Sequence, residues 1–324
     1  MAVTEERSEV VESNFEWFQI LGRLGVVAAG YPLDYVKVLI QIGHEPIAPV
    51  PCRTMFGRPA LALPGAFTYM KYIKKVNGFW GLYTGLTPRL TSNFLNLSTY
   101  LIVEEKLPNI IDESLLGKPE SELTDEQKLI VHANELVKSS AARIIAIIVS
   151  HPFHVITIRT IAQFVGKEEK YGGIFGSLGE IYNTEGILGF YRGVIPRIIG
   201  ELLTAWAATT ASVLINTYLI EEESLKGYVK ASMNYLASAF FYPFQVVTHV
   251  MIVNNCGLKA GLPGNMPIYA SWLDCWSHLS AIGQLKRGSS LLWRYYNGPF
   301  MPGGFEPSNR RVYAQAFPYS LHLH

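Results

Sequence analysis

Charge is scarce in this chain. Lys, Arg, Asp and Glu make up 16% of its 324 residues, with a formal net charge of +1, where soluble domains carry roughly 25% charged residues. A chain so close to neutral has no basic face to release counterions from a phosphate backbone, so nucleic acid is not an expected partner. Cysteine is scarcer still. The three present, Cys52, Cys256 and Cys275, are odd in number and have no metal-type spacing, which argues against a disulfide framework. A Gly-rich phosphate loop, a metal constellation and a nucleophile motif are all missing, so neither enzymatic chemistry nor a cofactor is expected. His151 and His154 have no further His, Cys or acid at ligand spacing and are expected to be helix-kink residues, not metal ligands. The first residues are acidic, with Glu5, Glu6, Glu9, Glu12 and Glu16 against Arg7. That resembles neither a signal peptide nor an Arg-rich transit peptide, so any targeting information is expected to be internal.

Apolar residues fill the space that charge leaves. They make up 49% of the chain, the mean hydropathy is +0.18, and apolar stretches long enough to span a bilayer recur. Five spans are expected, at about Phe15 to Ile42, Leu86 to Leu107, Leu129 to Val165, Val194 to Ile220 and Tyr228 to Asn254. The third is too long for one crossing, and its excess is expected to leave the bilayer after a kink at Pro152. Pro108 to Lys128 is acidic and reads as an exposed loop. Ile268 to Leu279 is amphipathic. From Tyr295 to His324 come Pro299, Pro302, Pro307 and Pro318, Gly303-Gly304 and Arg310-Arg311, with no run approaching the ~20 apolar residues of a span, so this segment is expected to be extended or disordered.

The apolar stretches repeat. Tyr31-Pro32-Leu33-Asp34-Tyr35-Val36-Lys37, His151-Pro152-Phe153-His154-Val155-Ile156-Thr157 and Tyr242-Pro243-Phe244-Gln245-Val246-Val247-Thr248 are three copies of one proline-bearing helix. After the first comes Gly78-Phe79-Trp80-Gly81-Leu82-Tyr83-Thr84-Gly85 and after the second Gly186-Ile187-Leu188-Gly189-Phe190-Tyr191-Arg192-Gly193, each opening another apolar helix. Gly288-Ser289-Ser290-Leu291-Leu292-Trp293-Arg294 is a degraded third copy. Together these resemble the mitochondrial carrier family, whose three repeats each pair a proline-kinked helix, a surface helix with a glycine-aromatic turn, and a second membrane helix. Tyr35 to Gln41, His151 to Thr157 and Val253 to Leu258 narrow the resemblance to the mitochondrial carrier homologs, an atypical outer-membrane branch. The expected fold is an all-α membrane bundle of three-fold repeats without its sixth membrane helix. Its parts are an acidic N-terminal segment (1–14), repeat 1 (15–110), an acidic linker (111–127), repeat 2 (128–223), a truncated repeat 3 (224–295) and the tail (296–324).

Every expected span carries a polar stripe at helical spacing. Arg23, Asp34, Lys37 and Gln41 share a face in the first span, and Arg89, Asn93 and Asn96 in the second. Arg143 and His154 lie on the third, Arg197 and Glu201 on the fourth, Asn234 and Gln245 on the fifth. Ionisable groups near a bilayer centre cost ~2.5–3.5 kcal/mol each on the lenient insertion scale, so they should face one another or a wet interior. Arg197 could simply pair with Glu201, and Asp34 with Lys37, but Asn and Gln recur on several helices, which favours a wet interior.

The resemblance implies an acid two positions after each proline and a base three further on, forming a gate. Asp34 and Lys37 fit, whereas His154 with Thr157 and Gln245 with Thr248 do not, so at most one gate bridge is expected. With the gate dismantled, solute exchange of the carrier type becomes the weaker alternative. What is expected instead is a laterally open polar groove, tuned by Lys37, Arg197 and Glu201 and lined by Arg23, Asp34, Arg89, Asn93, Asn96, Arg143, Asn234 and Gln245. Such a groove lowers the cost of carrying a polar tail across hydrocarbon. The role implied is an insertase for tail-anchored helical proteins of the mitochondrial outer membrane. A lipid scramblase using the same groove is the alternative, with membrane lipids as partners. The resemblance also implies a part in apoptosis as a receptor for a BH3-type protein.

Overall fold

The computed structural model describes residues 2–53, 59–109, 111, 124–218 and 222–296, with side chains from residue 22 onward except at 59, 125, 218 and 223. Most of the expected acidic linker, and the expected tail beyond residue 296, lie outside the described residues. Nine α-helices are present among the described residues: α1 (Ala2–Gln41), α2 (Ala66–Asn77), α3 (Leu86–Lys106), α4 (Asp125–Ala162), α5 (Gly173–Glu185), α6 (Val194–Tyr218), α7 (Glu223–Phe240), α8 (Tyr242–Val253) and α9 (Trp272–Ala281). Thr124 caps α4 with a capping box, its side chain accepting from the Gln127 amide while the Gln127 side chain accepts from the Thr124 amide.

The helices pack in chain order around a ring, α1 on α3, α3 on α4, α4 on α6, α6 on α7 and α8, while α8 also touches α1 and α4. The three proline-bearing helices therefore converge at one end of the bundle. The apolar core sits there, with Tyr31, Tyr35, Val155, Ile156, Val246 and Val250 essentially inaccessible to solvent. Fully burying side chains of this size stabilises by about 1.5–3 kcal/mol each.

Pro32 and Pro152 lie inside unbroken helices, and α4 continues past Pro152 to Ala162. Pro243 behaves differently. The expected fifth span breaks at Phe241 into α7 and α8, which meet at 52°, and the proline falls in the first turn of α8, where its missing N–H leaves no helical bond unmade. Two stretches, Glu126–Val165 and Ile187–Thr217, are long and apolar enough to cross a membrane, and the bent α7–α8 pair makes a third. α1 and α3 fall short of that apolarity because their stripes carry Arg23, Asp34 and Lys37, and Arg89, Asn93 and Asn96.

The all-α expectation needs one correction. A small antiparallel sheet, in the order β1-β2-β3, joins β1 (Val50–Arg53), β2 (Pro59–Leu63) and β3 (Arg294–Tyr295). Its third strand lies where the repeat departs from its pattern. Gly78, Gly186 and Gly288 occupy equivalent positions and all have positive φ, at 75°, 68° and 79°. Seven residues later Gly85 and Gly193 again have positive φ, at 88° and 74°, and open α3 and α6. The third repeat has Tyr295 there. A tyrosine does not readily take that conformation, and the chain runs on extended, placing Tyr295 opposite Ala62 and Arg294 opposite Leu63. Arg294 is buried against Glu45, Nη1 donating to Oε2 at 3.2 Å and to the Pro64 carbonyl at 3.1 Å, so the sheet ties repeat 3 back to repeat 1.

Candidate functional site: a polar cavity in the helix bundle

Beyond the apolar convergence the helices diverge around a cavity of about 500 Å³. α3 contributes Arg89, Asn93 and Asn96, α4 contributes Arg143 and His154, α6 contributes Arg197 and Glu201, and α7 and α8 contribute Asn234 and Gln245. Asp34 and Lys37 lie in a small cleft beneath it, which shares Arg89, Gln245 and His249 with the main cavity. Ten of the eleven residues singled out in the sequence are thus gathered in one place by the ring of helices. Arg23 is not. It is exposed and borders neither space. The reason is its position on α1, ahead of the convergence at Tyr31, where Gly22, Gly25 and Val26 are exposed as well.

Some of the polar groups pair. The Arg197 Nε donates to Glu201 Oε1 at 2.9 Å, one turn along α6, and its Nη1 meets His151 Nδ1 at 3.2 Å. His151 Nε2 meets the Arg192 carbonyl at 3.0 Å. A carbonyl only accepts, so Nε2 carries the proton and Nδ1 accepts from the guanidinium, which defines a neutral tautomer. His151 is therefore a brace between α4 and the turn before α6. Asp34 does not pair with Lys37. Its carboxylate takes the Arg89 guanidinium at 3.2 Å, across to α3 of the same repeat, and the Lys37 ammonium lies 5.2 Å from the centre of the Tyr242 ring. Arg143 sits over the Tyr100 ring at 5.5 Å, its Nε buried without a hydrogen-bond partner among the described residues.

The amides divide in the same way. Asn96 Nδ2 donates to Ser150 Oγ at 3.1 Å, and Asn234 Nδ2 to the Lys230 carbonyl at 3.1 Å. Asn93 and Gln245 make no hydrogen bond among the described residues, as side chains facing water do.

A closed chain of hydrogen bonds forms the floor. His249 Nδ1 meets Gln41 Oε1 at 2.6 Å, Gln41 Nε2 donates to the Tyr242 hydroxyl at 2.8 Å, and that hydroxyl donates to the Arg287 carbonyl at 3.1 Å. Arg287 Nε in turn donates to the Gln41 carbonyl at 2.6 Å. His154 lies against His249, ring centres 5.3 Å apart. Repeats 1 and 3 are thus joined beneath the cavity by hydrogen bonds that involve no carboxylate, with His154 of repeat 2 packed against them, where the resemblance implies ion pairs. The sequence did not single out His249 or Tyr242. A histidine in an apolar helix and a tyrosine beside the motif proline give no local signal, since their partner Gln41 lies 208 and 201 positions away. Among the described residues no group of His, Cys, Asp and Glu is arranged to hold a metal ion.

Comparison with known proteins accords with this architecture. The sequence profile of the mitochondrial carrier protein family matches residues 21–114 and 131–223, the first two repeats. The chain is 41% identical over 283 residues to mitochondrial carrier homolog 2 of Bos taurus, covering 85% of this chain and 93% of that protein. It is 39% identical over 292 residues to mitochondrial carrier homolog 1 of Mus musculus, covering 83% and 74%. A more distant likeness, 25% over 172 residues, is to mitochondrial thiamine pyrophosphate carrier 1 of Pyricularia oryzae, covering 52% of this chain and 49% of that one. With its proline-bearing helices converging beneath a polar cavity, this is a mitochondrial membrane protein that belongs to the mitochondrial carrier family, in the branch of the mitochondrial carrier homologs.

Proposed function

We propose that the chain is an insertase of the mitochondrial outer membrane, admitting tail-anchored helical proteins through its cavity. The observation that carries the proposal is the cavity itself: about 500 Å³ of charged and amide-lined space inside helices whose outer faces expose Ile148, Val149, Trp206 and Leu214. A client held by one C-terminal helix must take its polar tail residues through hydrocarbon, where each unsatisfied polar group costs several kcal/mol. Hydrated polar side chains along that path replace part of the lost hydration.

A side opening between α1 and α7 would let the apolar part of the client pass into lipid. Support comes from the packing, in which α1 lies on α3 and α7 on α6, and from large apolar side chains that both helices leave uncovered. Val26 of α1 is 74% exposed and Tyr235 of α7 75%. Among the described residues the floor holds no ion pair between repeats, which argues against a carrier-type gate whose salt bridges open and re-form as substrate passes.

The test is reconstitution of the purified protein into liposomes, scoring insertion of a tail-anchored substrate beside uptake of nucleotides and carboxylates. Insertion above empty vesicles, altered by Lys37→Glu or Glu201→Arg at unchanged protein abundance, is expected. Uptake without insertion would mean a working solute carrier. The same cavity could pass lipid headgroups while their chains stay in the bilayer. A scramblase of this kind would let dithionite bleach inner-leaflet fluorescent lipid without any client present.

A further inference from the structure

Among the described residues the charges of the cavity do not balance. Four cations, Lys37, Arg89, Arg143 and Arg197, face the cavity and its lower cleft together with two carboxylates, Asp34 and Glu201. Both carboxylates are used, Asp34 by Arg89 and Glu201 by Arg197. The two cations left over have the same surroundings: each lies against the face of a tyrosine, Lys37 over Tyr242 and Arg143 over Tyr100. A ring face steadies a cation without neutralising it and leaves it able to receive an anion.

The two cations also lie at different depths. α1 and α4 are the equivalent first helices of repeats 1 and 2. Arg143 lies nine residues before Pro152 and Lys37 five residues after Pro32, which separates their levels by about 20 Å at 1.5 Å per residue. That is most of the ~30 Å thickness of a hydrocarbon core. Arg197 and Arg89, each engaged with a carboxylate, lie on the walls between.

We infer that the cavity recognises the C-terminal carboxylate of an entering polypeptide, received by Arg143 at one level and by Lys37 at the other. This inference rests on the insertase proposal and adds to it the chemical group that the cavity selects. A tail-anchored client has that carboxylate at the leading end of the segment that must cross, and it is a charge no choice of sequence can remove. Guanidinium and ammonium groups held in a partly dehydrated space bind carboxylate through charge-assisted hydrogen bonds. With two cations that no described carboxylate engages, the entering carboxylate has a counter-ion near each end of its path.

The experiment uses the full chain in phosphatidylcholine liposomes and two synthetic clients. Both have one apolar helix and a short uncharged C-terminal tail, one ending as the free acid and the other as the amide. Initial insertion rates are read by protease protection and corrected for protein-free liposomes. The expected result is acid over amide by about fivefold or more, under one power of ten in rate. Arg143→Gln and Lys37→Gln should each bring that ratio toward one, and Arg143→Lys should keep most of it. A variant that only folds poorly lowers both rates together and leaves the ratio intact, which would overturn the role of that residue. Equal rates for acid and amide with the unaltered protein would overturn the inference while leaving the insertase proposal standing. Failure of both clients to insert would overturn both. Loss of the preference on adding a small fraction of phosphatidylserine would assign the cations to lipid headgroups and overturn the peptide assignment.

Discussion

Glu45 and Arg294 are 249 positions apart and almost wholly buried. Burial pushes the Glu45 carboxyl above the usual range, against the pull of Arg294 beside it. Removing one partner of a buried pair strands the other charge, so Arg294→Met should cost about 3–5 kcal/mol. The double variant Glu45→Gln, Arg294→Met should cost clearly less, as read by thermal unfolding in detergent. His44 gives a pH signature. Packed against Phe164 just past α1, its imidazole is lowered by burial from 6.5 to about 4. Below pH 6.5 the unfolded chain takes up a proton that the fold refuses. Stability from this group is therefore complete above pH 6.5 and is lost as pH falls toward 4, by at most about 3 kcal/mol. The wild-type melting temperature should fall through that window more steeply than that of His44→Gln.

At the scale of elements, glycine placement decides whether a surface helix leads into another membrane helix or into a strand. Gly78 and Gly85 both have positive φ, but they differ in surroundings. A Cβ on Gly78 would meet nothing within 4 Å, while one on Gly85 would lie 2.7 Å from the Tyr31 hydroxyl, which donates to the Thr84 carbonyl. Gly78→Ala should cost only the conformational strain, about 1–2 kcal/mol. Gly85→Ala adds displacement of a buried tyrosine and should melt several degrees lower than Gly78→Ala. Proline has no single effect on these helices. Pro32 and Pro152 are carried inside long helices, while Pro243 comes just after a break. The difference was not visible in three near-identical motifs, because it depends on what packs on either side.

For the whole molecule, the floor beneath the cavity sets how the repeats are held. Tyr242 links Gln41 in repeat 1 to the Arg287 loop in repeat 3 through one hydroxyl. Tyr242→Phe leaves a buried amide and a carbonyl without partners, at a cost of about 1–3 kcal/mol. Limited proteolysis should show repeat 3 cut sooner in that variant, while repeats 1 and 2 keep their resistance. An unchanged pattern would mean that the sheet and the core alone hold repeat 3 in place.

Much of this protein is set by sequence alone. The three-fold repeat, the helices and their polar faces are fixed by local spacing, by glycine and proline, and by the cost of charge in an apolar environment. These act over a few residues, so they are legible along the chain. Partner choice is not. Asp34 pairs with Arg89, 55 residues away, in preference to Lys37 three residues on. Lys37 and Arg143 rest on tyrosine rings, His249 reaches Gln41, and Arg294 reaches Glu45 through a strand that the helical pattern gave no reason to expect. Each of these depends on which helices are brought side by side, and only the packed fold supplies the distances over which charge and hydrogen bonds act.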